Sequence, residues 1–130
     1  MAAKESRYPK DWVTKAEADL RAAERLLEGE DLDIAAFHVQ QAIEKLLKGF
    51  LLRQGWQLRR IHELEALLNE AVTYDATLER YRELCTVATE YYIAERYPYE
   101  EAVSVTREQL AQQLAETKTL WERVRKTLEI

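Results

Sequence analysis

Basic side chains gather in one stretch of an otherwise acidic chain, and these are the residues best suited to bind a ligand. The 130 residues carry a formal net charge of −5. The basic stretch nevertheless contains Lys45, Lys48, Arg53, Arg59, Arg60 and His62. Such a group suits a phosphate or the acidic patch of a protein partner. Alternatively, these cations offset the dipole at a helix end and remain solvated, which is the commoner situation.

Part of this basic group falls on one stripe of a predicted helix. Asp31 or Asp33 is expected to cap this second helix, which ends near Gln54 before Gly55. At 100° per residue, a stripe of about 80° holds His38, Gln41, Lys45 and Lys48. The predicted core face holds Ala35, Val39, Ala42, Ile43, Leu46 and Phe50. Phe37 and Leu51 fall outside that face, so we expect this helix to contact more than one neighbour.

Tyrosine is the second unevenly placed residue type. Six of the seven tyrosines flank or lie within a predicted fourth helix: Tyr74, Tyr81, Tyr91, Tyr92, Tyr97 and Tyr99. With Arg96 beside them, they could form a surface on which nucleic-acid bases stack. The commoner role of such residues is to pack a core or an interface with the hydroxyl group at its wet edge. The sequence favours this second interpretation without deciding it.

Several kinds of catalytic or metal site have no support in the sequence. The two His residues and the single Cys, Cys85, lack the spacing of a zinc site. A Glu-x-x-His metal motif would need Glu three residues before each His, where Ala35 and Arg59 stand instead. There is no Gly-rich phosphate loop, and nearby residues suggest no Ser-His-Asp or Cys-His arrangement. We therefore expect no metal and no cofactor.

The elements that position these residues are predicted to be helices throughout. Only three Gly and two Pro interrupt a composition rich in helix-forming residues. We predict an all-α, up-and-down bundle of about five helices, in which residues 1–130 form a single domain. One Cys excludes an internal disulfide bond and favours a cytoplasmic protein, and no apolar run reaches the ~20 residues of a membrane span.

Local signals set the expected ends of these helices. Gly29 ends a first helix whose apolar stripe comprises Trp12, Ala16, Leu20, Ala23 and Leu27. The turn at 55–60 is expected to expose Trp56, and His62 to lie just inside a short third helix. Asp75 is expected to cap the fourth helix, at about 77–95, ahead of Pro98 and a linker at 99–105. Thr106 and Gln109 form a capping box for the last helix.

The order of these motifs resembles the HEPN domain (higher eukaryotes and prokaryotes nucleotide-binding) in its stand-alone prokaryotic form. The first helix carries Trp12 and Asp19, and the second carries the continuous run at 37–48, FHVQQAIEKLLK. Gly55, then His62-Glu63-Leu64, and finally Arg96-Tyr97-Pro98 follow in order. The resemblance covers nearly the whole chain. It implies a helical bundle that pairs as a homodimer and serves a minimal nucleotidyltransferase as partner.

Related HEPN proteins are metal-independent ribonucleases of toxin–antitoxin systems, in which Arg, four to six residues and then His form the active site. Here one, two and eight residues separate Arg60, Arg59 and Arg53 from His62. No Arg closely precedes His38, and no His follows Arg96. The motif is therefore absent, and we do not expect an enzyme.

The resulting hypothesis is a non-catalytic, dimeric partner module that docks a minimal nucleotidyltransferase and contacts its nucleotide. The candidate contact residues are Lys45, Lys48, His62, Arg96 and Tyr97. We expect no membrane association, and the acidic net charge argues against general nucleic-acid binding. The alternatives are a ribonuclease toxin with a divergent site and a purely structural homodimer.

Overall fold

The computed structural model describes residues 5–96 and 105–130, with only the backbone described for 91–96. Five α-helices and one 3₁₀ helix make up this part of the chain. The α-helices are α1 (Pro9–Glu28), α2 (Leu32–Arg53), α3 (Leu64–Val72), α4 (Arg82–Arg96) and α5 (Arg107–Leu128). The 3₁₀ helix, Ala76–Tyr81, precedes α4. The predicted all-α fold with five helices is confirmed.

The central element is α2, which contacts each of the other four α-helices. Its most extensive contact is with α1. Gly49 permits a close approach there, since a Cβ atom at this position would lie 3.3 Å from the Pro9 carbonyl oxygen. The first turn of α1 therefore rests almost directly on the backbone of α2.

The predicted core face of α2 is confirmed, but the core extends farther round the helix than predicted. All six residues of that face are buried: Ala35, Val39, Ala42, Ile43, Leu46 and Phe50. Leu51 was expected outside the core, and this was wrong because its side chain is fully buried. A helix surrounded by four others buries more than one face, so no single stripe describes its core. Phe37 is half-buried.

The connection after α2 differs from its prediction in two ways. Trp56 was expected to be exposed, yet only 6% of its surface is accessible. Gly55 has a φ of 88°, which turns the chain back so that the Trp56 backbone N–H donates to the Leu51 carbonyl at 3.0 Å. The second difference is that α3 begins at Leu64, so His62 lies in the preceding loop rather than inside the helix.

The second half of the chain agrees with prediction at α5 more closely than at α4. Asp75 caps the 3₁₀ helix by accepting from the Thr77 backbone N–H, so α4 begins at Arg82 rather than near Thr77. The capping box of Thr106 and Gln109 is confirmed. Pro98 and most of the predicted linker lie outside the described residues. Within residues 5–96 and 105–130, no helix is long and apolar enough to cross a membrane.

Candidate functional site

The polar stripe of α2 is organised by two carboxylates, and the first of them is Asp19 of α1. One oxygen, Oδ1, lies 2.8 Å from Nδ1 of His38, and the other, Oδ2, lies 2.5 Å from Nζ of Lys45. Asp19 is only 8% exposed. Because a carboxylate accepts hydrogen bonds, Nδ1 of His38 is the donor, and Nε2 is left for another contact. Asp19 thus fixes two side chains that lie about two helical turns apart on α2.

The second organising carboxylate is Glu44, on α2 itself. Its Oε2 atom lies 3.5 Å from Nζ of Lys48 and 3.3 Å from Nδ1 of His62. The Glu44 side chain is 9% exposed, whereas that of His62 is 63% exposed. Glu44 therefore connects a buried cation of the helix to an exposed imidazole on the following loop.

Trp12 covers the buried end of this group. Nζ of Lys48 lies 5.1 Å from the centre of the Trp12 ring, a cation–π distance. The indole N–H of Trp12 donates to the Ser6 carbonyl at 2.8 Å, and Ser6 Oγ donates to Asp11 at 2.6 Å. The segment before α1 is thereby fastened across the start of that helix.

The structure brings some of the predicted contact residues together and separates one of them from solvent. Lys45 and His62 remain partly or largely exposed. Lys48 was predicted to be a contact residue; its side chain is fully buried, and among the described residues Nζ has no hydrogen bond but lies beside Glu44 and over the Trp12 ring. In this arrangement Lys48 supports Glu44 and Trp12. Arg96 ends α4, its side chain is outside the described part, and Tyr97 lies beyond the described residues.

Asp19 and Glu44 are the site residues that the sequence prediction missed. Asp19 stands next to Leu20 on the buried side of α1, and an acidic residue at such a position implies a buried cation or donor partner. Glu44 lies four residues before Lys48, the favoured order for an ion pair on a helix. Both signals were present in the sequence.

The tyrosines that the structure describes do not form one exposed surface. Tyr81 is fully buried, and its hydroxyl group hydrogen-bonds Thr119 of α5 at 2.9 Å. Tyr74 is 48% exposed in the turn after α3. The other four clustered tyrosines have no described side chain. For Tyr81 the core-packing interpretation is therefore correct.

Neither a nucleophile nor a metal centre stands out in the described part of the chain. Burial raises the pKa of the Cys85 thiol to about 12, so this side chain is a core residue rather than a reactive thiolate. Residues 5–96 and 105–130 contain no group of three or more His, Cys, Asp or Glu placed to hold a metal ion.

The stripe can hold and orient polar groups. Lys45 also lines a cavity of about 380 Å³ together with Trp12 and Ser6. Lys45, a cation held by Asp19, is a donor suited to acidic or phosphate oxygens, while His38 and His62 each commit Nδ1 to a carboxylate and leave Nε2 for another contact. These groups lie on α2 and on the loop that follows it.

Comparison with known proteins places this fold in a family. The HEPN domain model matches residues 9–127. The chain is similar to TT1696 from Thermus thermophilus, with 26% identity, a TM-score of 0.74, and coverage of 92% of this chain and 97% of that one. It is also similar to ST0689, an archaeal HEPN homologue, with 27% identity, a TM-score of 0.71, and coverage of 92% and 96%. A comparison with curated proteins gives no significant match.

These all-α bundles define the class to which the molecule belongs. Because the family model covers almost the whole of the chain, the protein belongs to the HEPN domain family. The resemblance predicted from the sequence motifs is confirmed.

Proposed function

We propose that this protein is a non-catalytic, homodimeric HEPN partner module that docks a minimal nucleotidyltransferase and contacts its nucleotide. The observation that carries the proposal is the family match over residues 9–127. HEPN resemblance implies this type of partnership, and the chain lacks the Arg-to-His spacing of the ribonuclease branch.

The polar stripe of α2, with His62 beside it, is the contact surface that we assign to this function. Lys45 presents an ammonium donor there beside the imidazoles of His38 and His62, whereas the whole chain is acidic at −5. Asp19 and Glu44 hold these side chains in place, so a partner would have less to order on binding. An acidic patch or a phosphate group is the complementary chemistry.

The decisive experiment is co-expression with the minimal nucleotidyltransferase encoded nearest to this chain's gene. We expect the two proteins to co-purify, and Lys45→Gln to weaken the complex by about tenfold, the loss of one charge-assisted hydrogen bond. Lys126→Gln on exposed α5 is the matched control and should leave affinity unchanged. If two well-folded proteins form no complex at micromolar concentration, the proposal is wrong.

One contact favours a second candidate function, a divergent metal-independent ribonuclease. Asp19 orients the His38 imidazole at 2.8 Å, the arrangement by which a carboxylate sets the tautomer of a general base. Under the main proposal, highly purified protein does not cleave RNA. Cleavage that survives chelation and is abolished by His38→Ala, but not by His62→Ala, would establish this second candidate instead.

A further inference from the structure

A second concave site lies between the segment before α1 and the loop after α2. Its volume is about 540 Å³, and Arg7 and Arg60 both line it. Small-molecule sites typically enclose roughly 300–1,000 Å³. The cavity is therefore large enough for an organic ligand rather than a single water molecule.

The two arginines of this cavity, Arg7 and Arg60, have no ionic or hydrogen-bonding partner among the residues that the structure describes. Arg59, the neighbour of Arg60, behaves differently: it lies 3.6 Å from Glu70 and over the Trp56 ring. The fold therefore places two uncommitted bidentate donors at one cavity, next to an arginine that is already paired.

The wall of the cavity contains a further unsatisfied donor. Trp56 lines it and is 6% exposed, and its indole N–H has no hydrogen-bond acceptor in the described structure. Buried N–H groups are nearly always paired, so this one calls for an explanation. An acceptor oxygen of a ligand, admitted by a small shift of the loop, would provide its partner.

The remaining wall suits the organic part of a ligand. Leu52 and Leu58 contribute apolar surface beside the Trp56 ring. Glu5 also lines the cavity and forms no ion pair with either arginine, and its carboxylate can accept from a hydroxyl group. The cavity thus combines two cations, an apolar wall and one acceptor.

We propose that this cavity binds a small organic molecule through its phosphate group, with Arg7 and Arg60 as the phosphate ligands. A phosphate monoester carries close to two negative charges and three terminal oxygens, which match two guanidinium groups and one N–H donor. A monocarboxylate has only two acceptor oxygens, one fewer than these three donor groups. None of the polar-stripe residues lines this cavity, so the inference stands independently of the proposed partner function.

The test uses phenyl phosphate as the probe, in titration calorimetry with the intact chain. Benzoate carries the same ring with a carboxylate, and inorganic phosphate lacks the ring. We expect phenyl phosphate to bind more tightly than either, by about tenfold over benzoate. No detectable binding at up to about 10 mM, or equal affinity for benzoate, would overturn the proposal.

Matched variants locate the binding. Arg7→Gln and Arg60→Gln should each weaken phenyl phosphate binding by about tenfold, and both are exposed positions whose loss should leave the fold intact. Arg53→Gln removes an equal charge from the exposed end of α2 outside this cavity, and we expect less than about a twofold effect. Equal weakening by Arg53→Gln would show that the effect is non-specific electrostatic attraction, and it would overturn the assignment of the site. Lys45→Gln should leave this binding unchanged, which separates the result from that of the partner experiment.

Discussion

Asp19 is the residue that ties the candidate site to the fold. It is buried in the α1–α2 contact and accepts from His38 and Lys45 with separate oxygens. Replacing one of these oxygens by an amide NH2 group removes the charge and leaves either the lysine or the imidazole facing a donor in a partly buried position. A hydrogen bond to a charged group contributes roughly 1.5–3 kcal/mol, more than a neutral one.

The first prediction is that Asp19→Asn lowers the free energy of unfolding by about 1–3 kcal/mol. The amide keeps the size of the side chain but loses the charge, so the effect reports electrostatics rather than a cavity. Asp33→Asn, an identical change at an exposed position in the first turn of α2, should cost less than about 1 kcal/mol. Urea unfolding at pH 7 measures both, and equal effects would contradict the assigned role of Asp19.

Cys85 gives a second prediction, which concerns alkaline pH. Burial raises the pKa of its thiol from about 9.0 to about 12, so the folded chain keeps the proton after the unfolded chain has lost it. Stability linked to this group is therefore complete below pH ~9 and declines as the pH rises. Between pH 8 and 10.5 the wild-type protein should lose about 2 kcal/mol more than Cys85→Ala.

Denaturant unfolding of both proteins at these two pH values, under reducing conditions, provides the measurement. Comparing the wild type with Cys85→Ala cancels the contribution to stability from the titration of Lys and Tyr residues, which both proteins contain. Parallel losses of stability in the two proteins would show that the thiol ionises as readily in the fold as outside it.

At the scale of elements, Asp75 connects the 3₁₀ helix to α5. It accepts from the backbone N–H and the hydroxyl group of Thr77, at 3.0 and 2.6 Å, and from Arg123 of α5 at 2.7 Å. Arg123 also donates to the Thr77 hydroxyl group. The Thr77 hydroxyl is the main reason that the pKa of Asp75 lies below its ordinary value, and Arg123 lowers it further.

A third prediction follows from the direction of that shift. A lowered carboxyl pKa stabilises the fold above the ordinary pKa of 3.8, and this contribution is lost as the pH falls through the lowered value. Asp75→Asn should therefore lower the free energy of unfolding by roughly 0.5–1 kcal/mol at pH 7, because Asp75 and Arg123 are partly exposed. The difference in stability between the wild type and this variant should become smaller at pH 3. Urea unfolding of the wild type, Asp75→Asn and the control Asp33→Asn at both pH values is the measurement. A difference in stability between wild type and Asp75→Asn that does not change with pH would rule out the ionic contribution.

Helices with one amphipathic face were more predictable than the elements around them. The capping box of Thr106 and Gln109 and the core face of α2 rest on local spacing, and both were predicted correctly. The burial of Trp56 depends on the turn at Gly55 and on the helices that it packs against, which local spacing does not contain. The sequence prediction joined the 3₁₀ helix to α4, because a capped 3₁₀ turn and a capped α-helix begin with the same residue types.

The candidate site was predictable in location but not in its internal arrangement. The stripe at 38–48 identified the helix face, and Lys45 does lie on it. Lys48 shares the same arc, but whether a side chain on an arc is solvated depends on the neighbouring element, here Trp12 of α1. The pairing of Asp19 with His38 and Lys45 joins residues 19 and 26 positions apart, which periodicity within one helix does not relate.

At the scale of the whole molecule, the polar stripe adjoins two apolar side chains that remain accessible. Ile34 on α2 is 47% exposed, and Phe37, one turn further along, is half-buried. At 100° per residue, Ile34 and Lys45 lie within about 20° of each other around the helix. An apolar centre with polar side chains around its edge is the general arrangement of protein interfaces.

The last prediction is that the protein is a homodimer whose interface includes the beginning of α2 at Ile34 and Phe37. Phe37 and Leu51 first suggested a second apolar face; Leu51 is buried in the core, so the expectation rests on Phe37 together with Ile34. Symmetric pairing is the commonest oligomeric state. Sedimentation velocity at micromolar concentration should show a species of twice the 15.3 kDa chain mass.

Ile34→Lys should weaken the dimer at least about tenfold, since it buries a charge where an apolar side chain packed. Tyr74→Lys is the matched control, because Tyr74 is 48% exposed in the turn after α3, away from α2, and should leave the dimer intact. A monomer throughout the concentration range would contradict the dimer. A dimer weakened equally by both variants would exclude α2 from its interface.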